Sequence, residues 1–168
     1  MSDQAFNEEA MHALNARALV PPQADGRSGL PNGIVVLMRD TCPHCHSSMH
    51  ATGYPTQING VPVTWLNIND TRAAAQLTAL GIPFDQENGR IVPREIAGQD
   101  YQGVPTVLRV QDGIAQEVLR VGAFDKPMLE AMGAAVKAQE TTKLSVITNA
   151  PDTLSLPAAA RSNAVQLG

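Results

Sequence analysis

Cys42, Pro43, His44 and Cys45 set two thiols three positions apart, and the chain has no other cysteine. A C-x-x-C that follows a strand and opens a helix is a redox dithiol, able to make and break a disulfide within one helical turn. Disulfide exchange needs a thiolate, so whatever stabilises negative charge on the first sulfur activates it. Cys42 is expected at the first turn of a helix running from Pro43 to about Ala51, where unpaired N–H groups and the positive end of the helix dipole favour an anion. His44, inside the motif, adds a donor or a charge. Cys42 is therefore the expected exposed nucleophile, and Cys45, one turn further in, the sulfur that resolves the mixed disulfide. The base that deprotonates Cys45 is open among Asp40, His44 and water. With both cysteines in one motif, a structural disulfide could form only by consuming it.

The same residues admit rival readings. Two buried structural cysteines can fall at this spacing by chance. Residues 42–46 also satisfy C-x-x-C-H, the c-type haem attachment pattern. Cys42, Cys45, His46 and His50 offer four zinc ligands, although His46 follows Cys45 without a spacer and finger spacing is absent. The strand before the motif and Pro43 within it favour the redox dithiol, which needs no metal and no cofactor beyond a Cys42–Cys45 disulfide. Trp65, the single tryptophan, reads as core or rim packing. His46 and His50 read as solvated on the outer face of the helix, and His12 carries no role.

The elements that position the dithiol follow from hydrophobic period and turn chemistry. Residues 3–20 favour a helix with Phe6, Ala10, Ala13 and Leu14 on one face and Ser2 or Asp3 as its cap. Residues 21–33 are packed with turn formers and read as a loop. Residues 34–39 are an unbroken apolar strand, central in its sheet. Pro43 suits the first helical turn after it, and Gly53 is the expected stop. Residues 61–68 form the next strand, Asp70 caps a helix over 71–80, and Gly81 ends it. Residues 82–102 read as an irregular excursion. Two β-rich runs, 104–110 and 114–121, joined through Asp112-Gly113, form a hairpin. Asp125 caps a last helix with Leu129, Met132 and Val136 on one face. Residues 141–168 read as a tail, in which 143–148 could add a strand to a partner's sheet edge.

Composition bounds the function. A 168-residue chain with 43% hydrophobic and 17% charged residues, net charge −4 and pI near 5.5 has no basic footprint, which argues against a nucleic-acid partner. No apolar run reaches membrane-span length. Asp3, Glu8 and Glu9 stand where a signal peptide would be basic and then apolar, so the chain reads as cytoplasmic as written, and as periplasmic if a signal has been removed.

The order strand, dithiol, helix, strand, helix, hairpin, helix resembles the thioredoxin fold. Leu66-Asn67-Ile68 is similar to that family's third strand, Gly103-Val104-Pro105-Thr106 to its cis-proline loop, and Val121-Gly122-Ala123 to the turn before its last helix. The resemblance covers residues 33–140. It implies an α/β, thioredoxin-like fold with a central mixed sheet flanked by helices. Residues 1–32 become an N-terminal helix and linker, and 141–168 a C-terminal extension. It further implies a cis Val104–Pro105 bond beside the dithiol, with Gly103, Val104, Pro105, Thr41 and Gly122 holding a bound substrate's backbone. Gly81-Ile82-Pro83 mimics that loop but lacks a hairpin after it. Three positions depart from the family. Thr41 replaces the tryptophan before the first cysteine, Val36 the buried strand aspartate, and Trp65 the strand lysine. The pair Pro43-His44 resembles instead the DsbA-type oxidases, and Arg39-Asp40 before the dithiol is similar to glutaredoxins. Across C-x-x-C proteins the active thiol spans ~7 to ~3.5 in pKa, about 5 kcal/mol of thiolate stabilisation. A stabilised thiolate makes the disulfide a stronger oxidant. The resemblance therefore implies a thiol-disulfide oxidoreductase leaning towards oxidase or isomerase. Its partners would be protein thiols or disulfides and a recycling reductase or oxidase. The alternative is a thioredoxin-fold subunit of a larger assembly, with a partner chain holding its termini.

Overall fold

The computed structural model describes residues 7–149, with side-chain surroundings to residue 140. The chain divides into two compact units, Met1–Val136 and Lys137–Gly168. A five-stranded sheet forms the centre of the first unit. Its strands are β1 (Gly33–Met38), β2 (Gln57–Ile58), β3 (Val61–Asn67), β8 (Thr106–Gln111) and β9 (Ile114–Val121), in the order β2-β3-β1-β8-β9. β1 runs parallel to β3 and antiparallel to β8, while β8 and β9 pair antiparallel. With a neighbour on each side and both faces covered, β1 is buried along its whole length, as its apolar run requires. This α/β arrangement, a central mixed sheet flanked by helices, follows the order of elements expected from the sequence.

The pleat of β1 sends its side chains into two cores. Ile34, Val36 and Met38 join Val63, Trp65, Val107, Cys45, Met49, Leu129 and Val136 on one face. Val35 and Leu37 join Leu66, Leu108, Val110, Leu77, Leu80, Ile91 and Ile96 on the other. Helix α2 (Pro43–Thr52) covers the first face and α3 (Ala73–Leu80) the second, both ended by left-handed glycines, Gly53 and Gly81.

Several elements differ from the sequence reading. Helix α1 spans Glu8–Ala18 and is capped by Asn7, whose side chain accepts from the Ala10 N–H; Ser2, Asp3 and Phe6 lie outside the described residues. Its buried positions are Met11, Leu14 and Ala18, while Ala13 faces solvent, so the larger side chains choose the inward stripe. Residues 82–102 are not irregular. They fold into two small hairpins, β4 (Phe84–Glu87) with β5 (Arg90–Pro93) and β6 (Glu95–Ile96) with β7 (Gln99–Asp100). Asn88-Gly89 and Ala97-Gly98 turn them, all four residues having positive φ, the backbone that two-residue hairpin loops need. Asp70 does not cap α3 directly; its carboxylate accepts the Arg72 N–H at 2.9 Å and the helix begins at Ala73. Asp125 does cap the last helix, accepting from the Met128 N–H at 3.1 Å. That helix, α4, runs from Lys126 to Asn149, so residues 143–148 are helical rather than a strand-forming tail. Residues 150–168 of the expected tail lie outside the described residues. Among the described residues no helix is long and apolar enough to cross a membrane.

Candidate functional site

The dithiol sits where β1 ends and α2 begins. Cys42 has extended backbone and is the N-cap of α2, its Sγ accepting the Cys45 N–H at 3.2 Å. Pro43 takes the first helical position, where a missing N–H leaves nothing unpaired. Cys42 is half-buried; Cys45, one turn on, is 1% exposed. That difference leaves the outer sulfur open to another molecule and encloses the inner one. Burial pushes the Cys45 thiol well above its ordinary range, and its hydrogen bond with Cys42 pushes the same way.

The residues expected to hold substrate converge on the same place. The Val104–Pro105 bond is cis, and the Val104 carbonyl lies 3.9 Å from Cys42 Sγ. The Gly122 N–H donates to the Pro105 carbonyl at 2.9 Å, joining the turn before α4 to the proline loop, and Thr106 Oγ1 bonds the Gly103 carbonyl. Thr41 is exposed and its Oγ1 accepts from Asn69 Nδ2 at 3.0 Å. Gly81-Ile82-Pro83, by contrast, closes α3, with Ile82 buried in the second core.

Val36 and Trp65, where the resemblance would place a buried acid and a base, are register partners across β1 and β3 and are 0% and 1% exposed. The floor beneath Cys45 is therefore apolar. Trp65 is core, stacked on Phe124 with ring centroids 6.1 Å apart, its indole N–H donating to the Pro55 carbonyl at 2.8 Å. Among the base candidates, Asp40 has both carboxylate oxygens occupied, by Asn67 Nδ2 at 3.1 Å and Asn69 Nδ2 at 2.6 Å, and His44 is exposed. His46 corrects the sequence reading: its ring binds the Asp40 carbonyl instead of facing water, which pins the loop that carries Cys42. His50 is exposed as expected. Among the described residues no three His, Cys, Asp or Glu side chains are grouped to hold a metal, so Cys42, Cys45, His46 and His50 do not converge as a zinc site.

Sequence reasoning missed a polar frame around the loop. Arg39, directly after β1, is 4% exposed and donates to Asn69 Oδ1 at 2.9 Å and to the Ile91 carbonyl, with a further bond to the Tyr101 side chain. Asn67, 2% exposed, accepts the Asp40 and Asn69 N–H groups through Oδ1, at 3.3 and 3.0 Å. Two asparagines at the end of an apolar strand were the available signal, because buried amides persist only where they are hydrogen-bonded. The same loop borders a polar cleft of about 490 Å³, walled opposite by His12 and Asn15 of α1.

No family model matches the chain, and no curated protein is significantly similar to it. Among solved structures, it is similar to thioredoxin from Aeropyrum pernix, with 17% identity, 83% of this chain and 90% of that chain covered, and a TM-score of 0.37.

Proposed function

We propose that the protein is a thiol-disulfide oxidoreductase that exchanges disulfides with protein substrates through Cys42 and Cys45. One observation carries this reading: a half-exposed Cys42 Sγ caps a helix N-terminus, accepts the Cys45 N–H, and faces the carbonyl that precedes a proline loop. The Cys45 N–H directed at that sulfur sets it at the positive end of the helix, open to a partner's sulfur.

In the oxidising direction, a substrate thiolate attacks Cys42 Sγ of the Cys42–Cys45 disulfide, and Cys45 leaves as a thiolate. A second substrate thiolate then attacks the substrate sulfur of the mixed disulfide, releasing Cys42 and leaving a disulfide in the substrate. A recycling disulfide oxidant restores the Cys42–Cys45 bond. In the reducing direction, Cys42 thiolate attacks a substrate disulfide, and Cys45 attacks Cys42 Sγ to free the substrate's second thiol. Gly103, Val104, Pro105, Thr41 and Gly122 are the residues that hold the substrate chain. The apolar floor under Cys45 and the Pro43-His44 pair support oxidase or isomerase work over reduction, since neither a buried carboxylate nor a lysine serves the resolving sulfur.

The deciding measurement is the reduction potential of the couple in a glutathione buffer. A value near ~−120 mV supports the oxidase, and one near ~−270 mV supports a reductant in its place. Absence of any exchange with glutathione or with a disulfide-bonded protein removes the proposal.

A further inference from the structure

Resting on this reading, we infer that the polar cleft beside the dithiol is a subsite for a basic side chain, a lysine or arginine flanking the reacting cysteine of a protein substrate, with the Asp40 carboxylate as its acceptor. The cleft, of about 490 Å³, lies between α1 and the loop that follows β1. Asp40 stands two residues before Cys42, which keeps the two Cα atoms within about 7 Å of each other. In the sheet, β1 lies between β3 and β8. The cleft borders the β3 side, at Asn67 and Asn69, whereas Val104 leads into β8. A substrate sulfur joined to Cys42 therefore has the proline loop on one flank and the cleft on the other.

The charges of the cleft favour a cation. The Asp40 carboxylate is held by neutral amides, Asn67 Nδ2 at 3.1 Å and Asn69 Nδ2 at 2.6 Å, and no lysine or arginine among the described residues forms an ion pair with it. Arg39 meets it through Asn69, whose Oδ1 accepts from the guanidinium at 2.9 Å and whose Nδ2 is thereby turned towards Asp40 and Thr41. A carboxylate offers about four lone-pair sites, so two amide donors leave room for an incoming ammonium or guanidinium. Asp70, the other carboxylate of the cleft, is already matched by Arg72 at 2.7 and 3.0 Å, and that pair adds no net charge. The opposite wall gives an independent sign of a missing donor. Asn15 lines it, and its Oδ1 is buried with no hydrogen-bond partner among the described residues. A buried acceptor in that state is costly, and the several N–H donors of a lysine or arginine suit acceptors on both walls.

The test mixes the reduced full chain with short peptides whose single cysteine carries a pyridyl disulfide and whose neighbouring residues, within two positions of that cysteine, include one lysine, arginine, norleucine or glutamate. Cys42 thiolate attacks the peptide sulfur, a Cys42–peptide disulfide forms and thiopyridone leaves. Cys45 then attacks Cys42 Sγ and frees the peptide as a thiol. The rate of thiopyridone release is divided by that of mercaptoethanol with the same peptide, which removes the peptide's own reactivity. Lysine and arginine peptides are expected to react about fivefold faster than norleucine at low salt, with glutamate slowest, and about 1 M salt should compress the difference. Asp40→Asn should bring the preference within about twofold. Ala16→Lys should do the same, because Ala16 is exposed on the cleft wall and a lysine there places a cation in the cleft without disturbing the core. Asp112→Asn makes the same charge change as Asp40→Asn at the β8–β9 turn, the far end of the sheet, and should keep the preference. A preference that survives in Ala16→Lys or in folded Asp40→Asn overturns the inference, as does an equal loss in Asp112→Asn; should Asp40→Asn fail to fold by circular dichroism, Ala16→Lys decides. A parent inert towards every peptide sinks the oxidoreductase reading, whereas an active parent indifferent to the neighbouring residue sinks this inference alone.

Discussion

Below Cys45 the sheet offers Val36, Met38 and Trp65, a floor without a polar side chain directed at the sulfur, whereas the edge beside it carries Arg39, Tyr101 and Asn69 joined by hydrogen bonds. The floor penalises a thiolate, while the edge holds a buried cation on neutral hydrogen-bond partners. Because β1 ends between them, a single change of side-chain direction from Met38 to Arg39 separates the two environments. The difference teaches that the end of one strand serves two environments at once, an apolar floor under Cys45 without a buried acid and a hydrogen-bonded polar frame around Arg39.

The sharpest break is covalent. Cys42→Ser is expected to abolish disulfide exchange, and Cys45→Ser to accumulate mixed disulfides that survive denaturing gels and collapse on reduction. Insulin reduction at parental rate by Cys42→Ser would contradict the assignment of the outer sulfur. Removing the floor comes next. Trp65→Ala deletes a side chain 1% exposed, its stacking on Phe124 and its indole hydrogen bond, and should cost about 3–5 kcal/mol in urea unfolding. A loss below about 1 kcal/mol would mean that the floor is not a packed core.

A smaller effect sharpens the penalty that the floor imposes. Burial raises the folded-state value for Cys45 above its unfolded one, so the native state keeps a proton that the unfolded chain releases. This contribution is fully present below the unfolded value and is lost as pH rises. The reduced protein should therefore lose about 1.4 kcal/mol per pH unit above about pH 8.5, and Cys45→Ala should remove that slope. A reduced parent whose stability is flat through that window would show the thiol to be solvated. Weakest is a pair outside the comparison, which serves as its control. Hydrogen bonding from Arg72 holds the Asp70 carboxyl below its ordinary range, so its stabilisation is present above the unfolded value and disappears as pH falls through the folded one. Arg72 is largely exposed, so Asp70→Asn should alter only the acid limb, slightly, and leave exchange kinetics untouched.

Much of this architecture is legible in residue order. The apolar run of residues 34–39, Pro43 and Gly53 around a short helix, and Asp112-Gly113 between two β-rich runs each carry a local physical signal, and each is found in the structure. Residues 82–102 misled because four glycines and prolines look like loop material unless Asn88-Gly89 and Ala97-Gly98 are read as paired turns. His46 and Arg39 were legible only as charges near a motif. Whether such a side chain faces water or a carbonyl depends on where a distant segment lies, and no local period encodes that.

The sequence by itself determined that two thiols stand three positions apart at the start of a helix, because spacing and cap chemistry act over a few residues, while the proline loop's place followed from the resemblance. Only the tertiary structure decided that Cys42 Sγ meets the Val104 carbonyl, that Val36 and Trp65 pair beneath Cys45, and that Arg39 is tied to Ile91 and Tyr101. These contacts join residues tens of positions apart. Sheet register and burial bring them together, and no pattern over a few residues encodes either.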